Sequence, residues 1–152
     1  MGKWILNSLM NIVGNINNYM KYILDKNTLT SDITKNIENR DDLCITEDVL
    51  DETGFTDIEI AKIGKAGIQL LKMTKKHFEK LIDVMTTHGS NLKLINLYTG
   101  KGTADVAMIA YVLSEKDNPE TLFTEEYTIV TNDKELTAIA TSYGIQCTTQ
   151  IP

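Results

Sequence analysis

Apolar residues along the chain fall alternately into short unbroken runs and into helical spacings. Tyr22 to Leu24 is an apolar run that stops at Asp25, and Leu29, Ile33 and Ile37 then recur every four residues, which predicts a strand followed by a helix over 28–38. Leu43 to Thr46 predicts a second strand. Thr46 reads as the N-cap of a helix that carries Val49 and Leu50 and is stopped by Gly54. Two more helices are expected over 56–66 and 74–87, and Leu92 to Leu97 predicts a third strand. Ala104 to Ser114 is apolar on every side, so it reads as a buried helix, entered through the loop Thr99-Gly100-Lys101-Gly102-Thr103 and left by a turn at Asn118-Pro119. Tyr127 to Val130 predicts a fourth strand and 134–142 a helix closed by Gly144, with a short strand at 145–147.

Strands alternating with helices imply a parallel sheet, because parallel neighbours need long crossovers and both sheet faces must be covered. The expected class is therefore α/β, a three-layer α/β/α arrangement around a central, mostly parallel sheet. Residues 20–152 form that domain. Residues 1–19 stand before it as an appendage in which Ile5, Leu9, Ile12 and Ile16 have the spacing of an amphipathic helix. In such sheets ligands gather at the carboxyl ends of the strands.

Composition narrows the class without changing it. A chain of 152 residues with 42% hydrophobic and 24% charged residues has the size and balance of one globular domain. No apolar run approaches the roughly 18–20 residues of a membrane span, so no membrane association is expected. There is no secretory pattern at the start, and Leu6 stands where a myristoylation signal needs Ser or Thr. Cys44 and Cys147 lie far apart in apolar stretches, as buried reduced thiols do, so the expected compartment is cytoplasmic.

The formal charge of −6 argues against a protein that coats nucleic acid by charge alone, but it conceals a local reversal. Between Ala61 and Lys80 there are six lysines against Glu79, a net +5, which leaves −11 for the rest of the chain. This window is either a solvated helical surface or a track for a phosphate backbone.

The acids are placed more tellingly. Asp25 ends the first predicted strand, Glu52 follows the second, Asp105 opens the helix after the third, and Asp133 follows the fourth. Carboxylates converging on one sheet edge suit hard divalent cations, whose preferred ligands are carboxylate and water oxygens. Each acid alone also reads as a helix cap or a favourable first-turn charge, with Thr103 as the cap before Asp105. The Gly100 to Thr103 stretch is no Walker loop, since Ile95 occupies the place of the first glycine. His77 and His88 lack partners at zinc spacing, and no nucleophile elbow is present.

Four segments together resemble the PIN-domain nucleases: YILDKNTL with Asp25 and Asn27, ITEDVLDETG with Glu52, GKGTADVAMIAYVL with Asp105, and TIVTNDKELTAIA with Thr131 and Asp133. They occur in that family's order over roughly residues 20–147. Lys26 departs from the Thr or Ser more usual after the first Asp, and Asp51 and Asp48 are alternatives to Glu52 as the second acid. The resemblance implies an endoribonuclease dependent on Mg²⁺ or Mn²⁺ that leaves a 5′-phosphate and a 3′-hydroxyl. By that resemblance Asp25, Asp105 and Asp133 would be metal ligands, Glu52 would orient the attacking water, and Asn27 and Thr131 would hold carboxylates in place. Lys62, Lys65, Lys72, Lys75, Lys76 and Lys101 are the candidate contacts to RNA. The family resemblance also implies a toxin of a toxin–antitoxin pair, an antitoxin-like protein inhibitor and a homodimer. The competing expectation is a catalytically silent PIN-like scaffold that binds RNA or protein.

Overall fold

The computed structural model describes residues 19–32, 38–88, 102–118 and 125–152. Strands β1 (Met20–Leu24), β2 (Leu43–Thr46), β3 (Gln69–Leu71), β4 (Glu126–Val130) and β5 (Gln146–Thr148) form one sheet in the order β3-β2-β1-β4-β5, and every pair is parallel. Around it lie α1 (Lys26–Asp32), α2 (Glu47–Thr53), α3 (Asp57–Lys65), α4 (Lys75–His88), α5 (Thr103–Lys116) and α6 (Lys134–Ser142). This is the expected three-layer α/β/α architecture.

The central strands are apolar on both sides, and their burial shows why. Ile23, Leu24, Leu43, Ile45, Ile129 and Val130 are all fully buried, as residues of a sheet covered on two faces must be. Helix α5 packs against α4 and against β2 and β4, so it crosses the middle of the sheet. Its apolar character on all sides is explained by that place, because residues Val106 to Ile109 are at most 1% exposed.

Local signals account for most element boundaries. The Thr46 hydroxyl accepts from the Val49 N–H at the start of α2, and Gly54 ends that helix at φ 63°, a left-handed conformation that favours glycine. Thr56 and Glu59 close a reciprocal capping box on α3. Helix α1 begins at Lys26, earlier than the periodicity implies, because Asp25 caps it. At α5 the residue before the helix is Gly102, without a side-chain cap bond, so Thr103 is its first helical residue and not the expected cap.

One strand was not legible. β3 has three residues, too short to show a period of two, and it separates α3 from α4. The strand expected over 92–97, residues 1–18 of the N-terminal appendage, Lys101 and residues 33–37 of the helix predicted over 28–38 lie outside the described residues.

The turn into β3 depends on Gly67. It sits at φ 82°, and a Cβ there would stand 3.2 Å from the Arg40 backbone nitrogen, which donates to the Ala66 carbonyl at 3.0 Å. Gly67→Ala is expected to destabilise the domain by about 1–2 kcal/mol, through left-handed strain and that close approach. Chemical denaturation beside Gly64→Ala, a helical site with open space around it, measures the difference.

Candidate active site

The chain leaves β1 toward β2 and β3 on one side and later returns to β4 and β5 on the other, so the order of connections reverses between β1 and β4. In doubly wound sheets this is where a crevice opens at the carboxyl ends. Asp25 stands there. Leu24 pairs with Val130, which sets Asp25 level with Thr131, and Ile23 pairs with Cys44, which sets it level with Thr46 on the other side.

Asp25 is 4% exposed, and both its carboxylate oxygens are engaged. Oδ1 accepts the Thr28 backbone N–H at 2.7 Å, and Oδ2 accepts the buried Thr131 hydroxyl. The Thr131 oxygen in turn accepts the Asp133 backbone N–H at 3.0 Å, and the exposed Asp133 carboxylate caps α6 through the Leu136 N–H at 2.9 Å. Thr131 thus joins the two strand-end acids. Thr28 ties the same corner together from the other direction, its hydroxyl donating to the Val130 carbonyl at 3.2 Å. The resemblance implies that Asn27 holds a carboxylate in place; Asn27 is exposed and its backbone carbonyl accepts the Thr30 hydroxyl, while the Thr28 N–H binds Asp25 Oδ1. The helix cap at Asp25 was the one clue to Thr28, which lies three residues on.

The other two acids form a second pair of neighbours. Glu52, at the end of α2, accepts the Thr103 hydroxyl and the Ala104 N–H in long contacts of 3.4 Å at the first turn of α5. Asp105 is the next residue of that turn and is half-buried. Of the alternatives to Glu52, Asp51 is exposed and Asp48 is half-buried. Burial, reinforced by Asp51, Glu47 and Glu52, pushes the Asp48 carboxyl above its ordinary value, so α2 gathers negative charge that it does not neutralise locally.

The described contacts link Asp25 through Thr131 to the backbone of Asp133, and Glu52 to Thr103 and Ala104 at the start of the helix that carries Asp105. Among the described residues no three His, Cys, Asp or Glu side chains draw together into a metal-binding group. The chemistry of Asp25 nevertheless fits a hard cation. Its carboxylate is buried and oriented, each oxygen keeps acceptor capacity beyond its hydrogen bond, and among the described residues no basic side chain forms an ion pair with it. Mg²⁺ characteristically takes one or two carboxylates and completes its shell with water and substrate phosphate, so a closed protein cage is not required.

The lysines do not form one track. Lys62 and Lys65 are exposed near the end of α3, whose exit at Ala66 meets Arg40 at the amino edge of the sheet. Lys72 and Lys75 are exposed where β3 ends and α4 begins, at the carboxyl edge. Lys76 is committed to an ion pair with Glu115 at 2.8 Å, and Lys80 to one with Asp117 at 3.1 Å.

His77 belongs to that ion-paired cluster. Its Nδ1 accepts the Thr74 backbone N–H at 2.9 Å, the role Glu59 plays on α3, which places the neutral ring's proton on Nε2, 2.7 Å from Glu115. The ring lies 3% exposed and stacks on Tyr111 with centroids 4.4 Å apart. Burial pushes the Glu115 carboxyl up, but hydrogen bonds from Lys76 and His77 outweigh it and hold the group below the usual range. A carboxylate held low in the folded state stabilises fully above its unfolded pKa, and that contribution is lost as pH falls through the folded value. Acid unfolding, followed by circular dichroism, should therefore be shallower below about pH 4.5 in Glu115→Gln than in the parent; equal slopes would refute the assignment.

Both cysteines are free. Cys44 is buried, and burial pushes its thiol up to about 12, so it is inert at neutral pH. Among the described residues no helix is long and apolar enough to cross a membrane.

The fold and this strand-end corner define an α/β protein with a doubly wound parallel sheet and a buried acid at its switch point. No family model matches the chain, and no curated protein matches it.

Proposed function

We propose that this protein is a PIN-like, divalent-metal-dependent endoribonuclease that hydrolyses RNA phosphodiesters. One observation carries the reading: a buried carboxylate without an ion pair among the described residues, Asp25, is fixed at the switch point by Thr28 and Thr131 and joined through Thr131 to Asp133. Asp25 and Asp133 would hold a Mg²⁺ or Mn²⁺ ion, with Asp105 as a further ligand and Glu52 as a water-orienting group. When bound, such an ion lowers the pKa of a water molecule and offsets charge on the scissile phosphate. The protein's own part is orientation: Thr131 and Thr28 keep both Asp25 oxygens aimed, so no side-chain reorganisation accompanies substrate entry. Lys72 and Lys75, on the same edge, would meet phosphates flanking the cut.

The toxin assignment, with a small inhibitory partner protein, rests on the resemblance in sequence, as does the expectation of a homodimer. The test is Mn²⁺-dependent cleavage of a pool of single-stranded and structured RNA, with chelator and with Asp105→Asn prepared identically. Loss of cleavage in both controls supports the nuclease. No cleavage by the parent protein, together with no Mn²⁺ binding by calorimetry, favours the silent scaffold.

A further inference from the structure

Of the six large exposed hydrophobic residues among the described ones, five lie between Ile58 and Ile82: Ile58, Ile60, Leu70, Phe78 and Ile82. They sit on α3, β3 and α4, consecutive elements joined by links of three residues. The stretch Ile58–Ile82 carries net +4 and contains the lysine-rich window, on a chain that is otherwise strongly acidic. Singly exposed apolar residues are ordinary, but five of the six in one lysine-rich stretch of three consecutive elements are a local concentration.

The sheet order adds a second, independent feature. Among the described residues β3 is an edge strand paired only with β2, and on it Leu71 turns inward at 3% exposure while Leu70 stands 38% exposed. Edge strands present unpaired backbone donors and acceptors, which a polypeptide can match and which neither RNA nor lipid can match in register. Lysines bracket this edge, Lys62 and Lys65 on the helix before it and Lys72 directly after it.

We infer that the β3 edge is a docking site for an acidic, amphipathic segment of a partner protein. The segment would add as a strand along β3, with apolar side chains against Leu70 and carboxylates toward Lys62, Lys65 and Lys72. Charge complementarity selects the acidic partner, and the open backbone selects the extended form. Lys72 is common to this site and the nuclease reading, but Lys62 and Lys65 lie at the amino edge of the sheet, away from Asp25, so their reversal tests the docking site alone.

The test is fluorescence anisotropy of the full chain with a labelled peptide of alternating glutamate and valine, beside a lysine–valine peptide, polyuridylate and phosphatidylserine vesicles. The acidic peptide should bind, and binding should weaken with added salt. Lys62→Glu with Lys65→Glu should weaken it roughly tenfold or more. Leu70→Asp should weaken it comparably, with an unchanged circular dichroism spectrum showing that the fold is kept. The proposal is overturned if the acidic peptide does not bind or binds no better than the basic one. It is equally overturned if only polyuridylate or vesicles respond to the lysine reversals, which would assign the surface to RNA or to a membrane.

Discussion

Asp25→Asn is expected to remove Mn²⁺-dependent RNA cleavage almost entirely, by about a hundredfold to a thousandfold, while the protein stays folded. The magnitude follows from the role: a metal ion contributes several kcal/mol to stabilising the transition state, and each 1.36 kcal/mol is a factor of ten in rate. Asparagine retains one carbonyl oxygen that can accept the Thr28 N–H, so the cap on α1 and the local backbone persist. What it loses is the anionic charge. Thr131→Val tests the same site one step further out. It removes the hydroxyl that donates to Asp25 and accepts from Asp133 while keeping the shape of the side chain, and it should cost roughly 10–100-fold. Single-turnover cleavage with calorimetric Mn²⁺ titration separates the effects. Both variants should bind the ion more weakly, and cleavage by Asp25→Asn at the parent rate would end the nuclease proposal.

Ile109→Ala should give the largest loss of stability, about 2–5 kcal/mol, by opening a cavity in the middle of α5. Ile109 is fully buried in a helix that packs against α4 and against β2 and β4, so layers on more than one side must move to refill the space. The comparison is Ile58→Ala on α3, where the side chain is 71% exposed and truncation should change little. Urea unfolding of the three proteins measures this directly. Similar midpoints for Ile109→Ala and Ile58→Ala would mean that α5 is not the helix on which the sheet closes.

Much of the framework is legible locally. β2 and α6 have the bounds that the apolar pattern predicts, and Thr46, Gly54 and Gly144 mark helix ends through capping and turn chemistry confined to a few residues. Asp25 is legible as an acid at a strand end for the same reason. β3 is not, since three residues in the sequence Gln-Leu-Leu carry too little pattern to be told from a loop. His77 reads as a histidine without metal partners, and only its contacts make it a helix-capping group tied to Glu115.

The class of the fold follows from local pattern alone: alternating strand and helix patterns demand a covered parallel sheet, and an all-round apolar segment such as α5 must be buried. The same pattern marks which acids end strands. The tertiary fold places β1 between β2 and β4, sets Asp25 level with Thr131, links Asp25 to Asp133 through Thr131, and brings Glu52 to the first turn of α5. The same fold divides the lysines between opposite edges of the sheet and, among the described residues, leaves β3 paired on one side. These are matters of register and of the direction taken by each crossover, set by contacts between residues as distant in the chain as Asp25 and Thr131, and local periodicity holds no information about them.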